Sequence, residues 1–148
     1  MSHTLSRPSS ELDWRDYHAI RRDVLWTARG RSGYDEGHLD EHLPHNHPLL
    51  LKLAGRSIGT TRLDDWGDGT GIVRLVAIAP DLQRQGHGRV LAQLTEDVAR
   101  VLEIRTLLVN AAPEALGYYE RMGWHHHDWE PERDAAIAAG LIQLRKWL

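Results

Sequence analysis

The chain has 148 residues, with 18 basic and 21 acidic side chains and a formal net charge of −3 at pH 7. This length is typical of one domain, so residues 1–148 are expected to form a single domain, and the mildly acidic balance excludes a general nucleic-acid binder, which carries a basic face. The lack of cysteine excludes disulfides, thiolate nucleophiles and cysteine-ligated zinc, and it fits a reducing compartment, so we expect a cytoplasmic protein.

The N-terminal residues lack the apolar core of a signal peptide. No apolar run approaches the ~18 residues that a membrane-spanning helix needs, so no membrane partner is expected. The first predicted element is a helix over residues 11–28, because Ser10 can cap it and Gly30 follows as a stop. Its apolar residues recur at helical spacing: Trp14, Tyr17, Ile20, Val24 and Leu25. Residues 29–47 are polar and predict a loop with one short helix around Asp35–His42.

A series of short strands follows. The apolar run Leu49–Ala54 and the run Ser57–Leu63 are separated by a tight turn, and together with the segment that follows they predict an antiparallel meander. Residues 64–71 are dense in turn formers. Ile72–Ala79 is almost continuously apolar, which is typical of a strand buried on both faces at the centre of a sheet. Pro80 ends it, because proline has no N–H for the ladder.

In the second half of the chain, from Gly88, the apolar residues recur at helical spacing. A helix from Gly88 is predicted to bury one apolar face, consisting of Val90, Leu91, Leu94, Val98, Val101 and Leu102. The elements predicted after it are a strand over Ile104–Val109, a helix over 113–122, strands over Trp124–Asp128 and Leu141–Trp147, and a candidate helix over 132–139. This order predicts an α+β or α/β domain around a mostly antiparallel sheet.

The segment 83–89 is the most informative part of the sequence. It joins the buried strand to the amphipathic helix, and the free N–H groups at a helix start form an anion site. Gly86 and Gly88 allow backbone amides to approach a ligand closely. Arg84 and Arg89 add positive charge, and residues 82–90 contain no carboxylate. The segment therefore predicts a pyrophosphate site, and a simple glycine turn is the alternative.

The glycine spacing does not match two other phosphate-binding motifs. A P-loop requires Gly-Lys-Ser/Thr, whereas Arg89 follows Gly88 here. The dinucleotide fingerprint requires a third glycine, and Leu91 occupies that position.

Two motifs make the chain resemble the GNAT superfamily of acyl-CoA-dependent N-acetyltransferases. The first is the family's Arg/Gln-x-x-Gly-x-Gly/Ala after a central strand, present here as Gln83-Arg84-Gln85-Gly86-His87-Gly88. The second, an alanine, an aromatic–Tyr pair and Gly-aromatic, is present as Ala115-Leu-Gly-Tyr118-Tyr119-Glu-Arg-Met-Gly123-Trp124. The resemblance covers roughly 48–147, and residues 18–26 resemble the family's first helix. The family's first strand is not evident, because residues 3–7 match it poorly.

The resemblance implies a GNAT fold of the α+β class, layered α/β/α. Its sheet is expected to be strongly twisted and mixed but mostly antiparallel, with six or seven strands that splay to admit acetyl-CoA. The resemblance also implies roles for individual residues. Those with an implied cofactor-binding role are Val76, Ala77 and Ile78 (pantetheine arm), Gln83, Arg84, Gln85, Gly86, His87, Gly88 and Arg89 (pyrophosphate), and Asn110. A backbone N–H near Ala77 and Ile78 would polarise the thioester carbonyl. Tyr119 matches the tyrosine proposed to protonate the departing thiolate.

The sequence departs from the family pattern in one respect. Many relatives carry a glutamate on the central strand as a base, but residues 72–75 contain no carboxylate. The base therefore comes from elsewhere or is water, and the candidates are Asp64, Asp65 and the histidines of 38–47. Arg74 either faces an acidic substrate group or pairs with a neighbouring carboxylate for structure.

Several other side chains have two interpretations. Tyr118 is interpreted as a packing residue, and the His87 side chain as exposed. Trp26 and Trp66 are candidates for the lining of a substrate pocket. The run His125–His127 could suggest a metal, but alternate residues of a strand face opposite sides and no further ligand set completes a site. An exposed strand is therefore the prediction, with no metal.

The resemblance implies an enzyme that transfers an acetyl group from acetyl-CoA to a primary amine by direct attack in a ternary complex. The alternative from another class is a non-catalytic acyl-CoA-binding sensor or interaction module, which the missing strand glutamate favours. Acidic clusters at 35–41 and 64–68 favour a cationic acceptor. The apolar tail Leu141–Leu148 permits a homodimer. The sequence leaves open the acceptor, the general base, the acyl-chain preference and the oligomeric state.

Overall fold

The computed structural model, which describes residues 2–148, contains a seven-stranded mixed sheet with strand order β1-β2-β3-β4-β5-β7-β6. The strands are β1 (His3–Ser6), β2 (Asn46–Leu53), β3 (Arg56–Asp65), β4 (Thr70–Ile78), β5 (Thr106–Ala111), β6 (His125–His126) and β7 (Ile142–Trp147). Neighbouring strands are antiparallel except for the parallel pair β4–β5. The predicted α+β class and the mixed, mostly antiparallel sheet are confirmed.

Four α-helices accompany the sheet: α1 (Glu11–Arg21), α2 (His87–Val101), α3 (Leu116–Arg121) and α4 (Arg133–Ala138). Short 3₁₀ turns cover Leu39–His42, Pro80–Leu82 and Pro113–Ala115, the last of which leads into α3. The predicted helices over 113–122 and 132–139 are therefore confirmed in place. Val101, predicted on the buried face of α2, is instead 83% exposed, because it lies at the margin of that face while Ala99 packs inward. Among the helices of residues 2–148, none combines the length and the apolar character needed to cross a membrane.

The first strand is present although the sequence did not reveal it. β1 pairs antiparallel with β2, from His3 opposite Leu53 to Ser6 opposite Leu50. It is an edge strand of four residues, and Leu5 is its one apolar contact with the core. So short a segment carries almost no alternating hydrophobic signal, and its ladder with β2 makes it a strand.

The helix predicted over 11–28 is confirmed in extent but changes character along its length. Ser10 caps it, because its Oγ accepts a hydrogen bond from Asp13 N over 3.0 Å. After α1 the chain continues through a wider π-helical turn at Arg22–Trp26 and a 3₁₀ turn at Thr27–Arg29. Gly30, with φ of 67°, ends it in the left-handed conformation that glycine adopts readily.

β4 diverges from β5 and carries a bulge at the point of divergence. It pairs with β3 along most of its length but with β5 only from Thr70 to Val73. Thr60 of β3 pairs with Ala77 and Arg62 with Arg74, so two β4 residues stand opposite one on β3. Leu75, in this bulge, has a φ of 56°. A bulge of this kind bends the strand locally, and the gap that opens beside it defines the functional cleft.

The two faces of β4 pack against different helices. Val76 contacts the cluster formed by Leu51, Ile58 and Leu91, which places α2 on its face. Leu75 and Ala77 contact the cluster that contains Tyr17, Ile20 and Leu25, which places α1 on the opposite face.

A buried ionic network lies under α1. The Glu41 carboxylate, 2% exposed, accepts hydrogen bonds from the hydroxyl of Tyr17 over 3.0 Å and from the Arg21 guanidinium. Arg62 lies 3.6 Å from the same carboxylate and donates two hydrogen bonds to Asp64, over 2.7 and 2.9 Å. Each charge in the network therefore faces an opposite charge, which offsets the cost of removing it from water.

Replacing Glu41 by glutamine is expected to lower the free energy of unfolding by about 3 kcal/mol, because Arg21 is then left without its buried counter-charge. Urea unfolding at pH 7 measures this difference in the free energy of unfolding between the variant and the wild-type protein. The matched control is Glu36→Gln, because Glu36 pairs with Arg22 at an exposed position. This variant should lose less than about 1 kcal/mol of the free energy of unfolding. Equal losses for the two variants would contradict the prediction.

Candidate active site

A cleft of about 900 Å³ lies where β4 and β5 diverge. Its central walls are residues 73–78 of β4 and residues 109–112 at the end of β5. On the α2 face its lining residues are Gln83, Arg84, Gly88, Glu114, Ala115, Tyr118 and Tyr119. On the α1 and α4 side they are Val24, Leu25, Trp26, Arg29, Arg31, Glu132, Ala135, Ala136, Ala139 and Leu141. The cleft therefore passes through the sheet and opens on both faces.

The start of α2 presents unused backbone N–H groups beside the cleft. The first hydrogen bond of this helix runs from Val90 N to Gly86 O over 3.3 Å, so the N–H groups of His87, Gly88 and Arg89 have no partner within the helix. Gly86 has a φ of 88°, and no heavy atom lies within 4 Å of where its Cβ would stand. These N–H groups and the positive end of the helix dipole form an open cradle for an anion.

The side chains of segment 83–89 fix the loop or face solvent. Gln83 Nε2 donates to Ile78 O over 3.0 Å, and Gln85 Nε2 donates to Asp81 O over 3.2 Å. Arg84 and Arg89 are exposed. Among the sequence-predicted cofactor residues, those that line the cleft are Val76, Ala77, Ile78, Gln83, Arg84, Gly88 and Asn110. The others lie outside it, Gln85 and Gly86 on the loop and His87 and Arg89 in the first turn of α2.

The His87 side chain is half-buried, which corrects the prediction that it is exposed. Its Nδ1 lies 3.0 Å from Nε2 of His3. The unexpected strand β1 brings His3 beside the start of α2, and no feature near His87 in the sequence could have indicated this contact.

One backbone N–H of β4 is directed into the gap. Ala79 N donates to Ile58 O over 2.8 Å on the β3 side. Because bonding direction alternates along an antiparallel ladder, Ile78 points its N–H and C=O away from β3, and the bond from Gln83 to the Ile78 carbonyl agrees with this. Ala77 pairs with Thr60 and uses its backbone groups inside the sheet. Of the two residues, Ile78 is therefore the one whose N–H is free of the sheet, and the cofactor-binding role of Ala77 stays a prediction.

The two tyrosines of α3 have different surroundings. Tyr119 is 7% exposed and packs edge-on against Tyr118 and Trp124, with ring centroids 5.0 and 5.4 Å away. Burial raises the pKa of the Tyr119 phenol above its ordinary value of 10, and within residues 2–148 its hydroxyl makes no hydrogen bond. The Tyr118 hydroxyl donates to Gly88 O over 2.7 Å, and burial raises the pKa of Tyr118 to about 12. Tyr118 thus ties α3 to α2, while the Tyr119 hydroxyl is uncommitted.

Arg74 pairs with carboxylates of the protein itself, which decides between its two interpretations. Its Nε donates to Asp64 over 2.7 Å, and its Nη1 and Nη2 donate to the two carboxylate oxygens of Glu132 over 2.8 and 2.6 Å. Burial alone would lower the pKa of Arg74, but the hydrogen bonds to Glu132 and Asp64 outweigh it and raise that pKa. Arg74 is therefore a neutralised structural group at the cleft wall.

Glu132 is the cleft residue that sequence reasoning missed. Asn110 Nδ2 donates to its carboxylate over 3.0 Å, and Gln143 Nε2 donates to Asn110 Oδ1 over 3.1 Å. Glu132 precedes α4 in an irregular segment, far along the chain from Arg74. The available signal was indirect, because an arginine on a strand buried on both faces requires a carboxylate partner.

The carboxylates and histidines suggested as bases do not line the cleft. Asp64 is buried in the ionic network, and neither Asp65 nor any histidine of 38–47 reaches the cleft wall. Neither acidic cluster reaches it, so the expectation of a cationic acceptor loses its basis. Trp26 does line the cleft, whereas Trp66 packs edge-on against Trp129 at 6.0 Å and does not.

Two of the three residues of the histidine run lie on an exposed strand, as predicted, whereas His127 lies beyond it and is half-buried. His125 and His126 form β6 and are exposed, and His127 Nε2 lies 3.3 Å from Nη1 of Arg145. Across the described residues, no group of three or more His, Asp or Glu side chains is arranged to hold a metal ion.

Residues 35–139 match the family model described as acetyltransferase (GNAT) domain. The fold resembles the ribosomal-protein-S18-alanine N-acetyltransferase of Escherichia coli, with a TM-score of 0.72 and 18% identity over 97% of this chain and 92% of that one. It also resembles the PaiA N-acetyltransferase of Thermoplasma acidophilum in complex with coenzyme A, with a TM-score of 0.76 and 14% identity over 100% of both chains. A third similar structure is N-acetylglutamate synthase of Neisseria gonorrhoeae complexed with coenzyme A and N-acetyl-glutamate. Its TM-score is 0.79 and its identity is 20%, over 100% of this chain but 35% of that one.

Proposed function

Because the chain belongs to the GNAT acetyltransferase family, we propose that it transfers an acetyl group from acetyl-CoA to a primary amine by direct attack in a ternary complex. One observation carries the proposal. The anion cradle of α2, the free N–H of Ile78 and the uncommitted hydroxyl of Tyr119 belong to residues that line or border one cleft, which opens on both faces of the sheet. Two substrates can thus meet inside the sheet from opposite sides, which favours reaction by positioning.

The cofactor half of the cleft is proposed to lie on the α2 face. The N–H groups of segment 83–89 would bind the pyrophosphate, with Arg84 and Arg89 nearby. The pantetheine arm would lie along the cleft wall formed by Val76, Ala77 and Ile78, as an added strand does. Asn110 has one amide hydrogen beyond the bond to Glu132, and this hydrogen would contact the same arm.

Acetyl-CoA supplies a thioester carbonyl that an amine can attack. The N–H of Ile78 would donate to the carbonyl oxygen as negative charge grows there. The new C–N bond forms as the C–S bond breaks, and Tyr119 would give its phenolic proton to the departing sulfur. The phenol is then restored from solvent. The amine loses its own proton to water in the open cleft, because Glu132 is engaged by Arg74 and Asn110.

An assay of free CoA release over a panel of primary amines tests the proposal, together with calorimetric titration of acetyl-CoA. We expect at least one amine to release CoA above the hydrolysis background and acetyl-CoA to bind without an amine. Binding with no release for any amine would favour the non-catalytic acyl-CoA sensor. Failure of acetyl-CoA to bind would overturn both functions.

A further inference from the structure

Two arginines line the cleft on the α1 face, immediately after the first helical region. Gly30 N donates to Thr27 O over 3.0 Å and Arg31 N donates to Trp26 O over 2.8 Å, which turns the chain back toward the cleft. Arg29 and Arg31 both contribute to its lining. The Arg31 guanidinium lies 5.0 Å from the Trp26 ring centroid, and the Trp26 ring packs edge-on against Tyr34 at 4.7 Å. Arg31 is exposed, and its guanidinium lies over the Trp26 ring at the edge of the cleft.

Neither arginine has a counter-charge, unlike the arginines around them. Arg21 pairs with Glu41, Arg22 with Glu36, and Arg74 with Asp64 and Glu132. Within residues 2–148, no carboxylate lies at ion-pair distance from Arg29 or Arg31. Although the protein has a net charge of −3, the charged residues that line the cleft on the α1 and α4 side are Arg29, Arg31 and Glu132, and Arg74 neutralises Glu132. This half of the cleft therefore attracts anions.

The position of the pair separates it from the proposed cofactor half. The cradle at the start of α2 lies on the face of β4 where Val76 packs. Trp26 and Leu75 both pack against the Tyr17 cluster on the opposite face. The wall on the α1 side is apolar around the arginines, with Val24, Leu75 and Ala136 among its residues. An acceptor entering here meets an aliphatic surface and two unpaired guanidinium groups.

We infer that the acceptor amine carries a carboxylate at the end of an aliphatic spacer, and that Arg29 and Arg31 bind this carboxylate. The inference rests on the proposed acetyl transfer and narrows its substrate class. A guanidinium matches a carboxylate through two parallel hydrogen bonds, which gives selectivity over a neutral amide of the same shape.

The test uses a series of ω-amino acids of increasing chain length, from glycine to 6-aminohexanoate. For each acid, kcat/KM is compared with that of the corresponding amide. For the best chain length, kcat/KM of the acid should exceed that of the amide by at least about tenfold, the effect expected for charge-assisted hydrogen bonds. In the double variant Arg29→Gln, Arg31→Gln this ratio should fall to about one, because the discriminating charges are gone. Arg22→Gln is the matched control, since Arg22 pairs with Glu36 outside the cleft, and it should keep the ratio.

Calorimetry separates the two proposals. The Kd of acetyl-CoA should stay unchanged in the double variant, and the acids should bind the wild-type protein saturated with CoA more tightly than their amides do. Equal turnover of acids and amides, or a ratio that survives the double variant, overturns the inference but leaves the acetyl transfer standing. If the double variant binds acetyl-CoA more weakly but keeps the acid-to-amide ratio of kcat/KM, Arg29 and Arg31 bind the cofactor, and the inference is overturned. If no amino acid of the series reacts, equal Kd values of the acids and their amides for the CoA-saturated protein overturn the inference.

Discussion

Tyr119→Phe is expected to lower kcat by about 100-fold or more while leaving the Kd of acetyl-CoA within about twofold, because a positioned general acid contributes a factor of this size. The substitution removes the hydroxyl and keeps the ring, so the edge-on packing against Tyr118 and Trp124 is retained. Steady-state CoA release at saturating acetyl-CoA and amine measures it. An unchanged kcat would exclude Tyr119 as the proton donor.

Tyr118→Phe is the matched control, because it also removes one hydroxyl from α3. It loses the hydrogen bond to Gly88 O, which should cost about 1 kcal/mol of stability and leave kcat largely unchanged. Because burial raises the pKa of Tyr119, its donor form is lost only as pH rises through a value above 10. The profile of kcat against pH should therefore show no falling limb from this residue below about pH 10.

Gly86→Asp is expected to weaken acetyl-CoA binding by at least about 100-fold, because a carboxylate at the start of α2 repels a diphosphate at short range and competes for its N–H groups. Calorimetric titration measures the loss. The open space around Gly86 accommodates the new side chain. Retained affinity would rule out the anion cradle as the pyrophosphate site.

Gly86→Asn separates the effect of charge from that of the backbone. Asparagine and aspartate have almost the same shape, and both tolerate the left-handed conformation that Gly86 adopts better than most residues do. The asparagine variant should therefore lose less than about tenfold in affinity, since it adds no charge. If the two variants lose affinity equally, backbone strain is the cause and electrostatic repulsion is not.

The sequence predicted those elements whose signal is local. The apolar run Ile72–Ala79, Pro80 and the amphipathic pattern after Gly88 together predict a strand, a loop and a helix, and the structure contains them as β4, the segment 83–89 and α2. The spacing of Gly86 and Gly88 likewise located the candidate anion site, because its geometry depends on neighbouring residues of the chain.

Features that depend on distant residues could not be predicted. The bulge at Leu75 arises from the register between β3 and β4, which no short pattern encodes. Glu132 became a cleft residue through its pairing with Arg74, which lies 58 residues earlier in the chain. The acidic clusters misled the acceptor prediction for the same reason, because composition does not reveal that Glu41 is neutralised inside the fold.

The divergence of β4 from β5 has a consequence for the behaviour of the whole sheet. Four parallel residue pairs, from Thr70 with Thr106 to Val73 with Val109, connect its two halves. A molecule that fills the gap contacts both halves of the sheet. When it leaves, the short β4–β5 pairing should be the part of the sheet that opens most easily. Amide hydrogen exchange at Ile78 should slow when acetyl-CoA is present, and melting should move to higher temperature. The lifetime of the protein would then depend on how much acyl-CoA its surroundings provide.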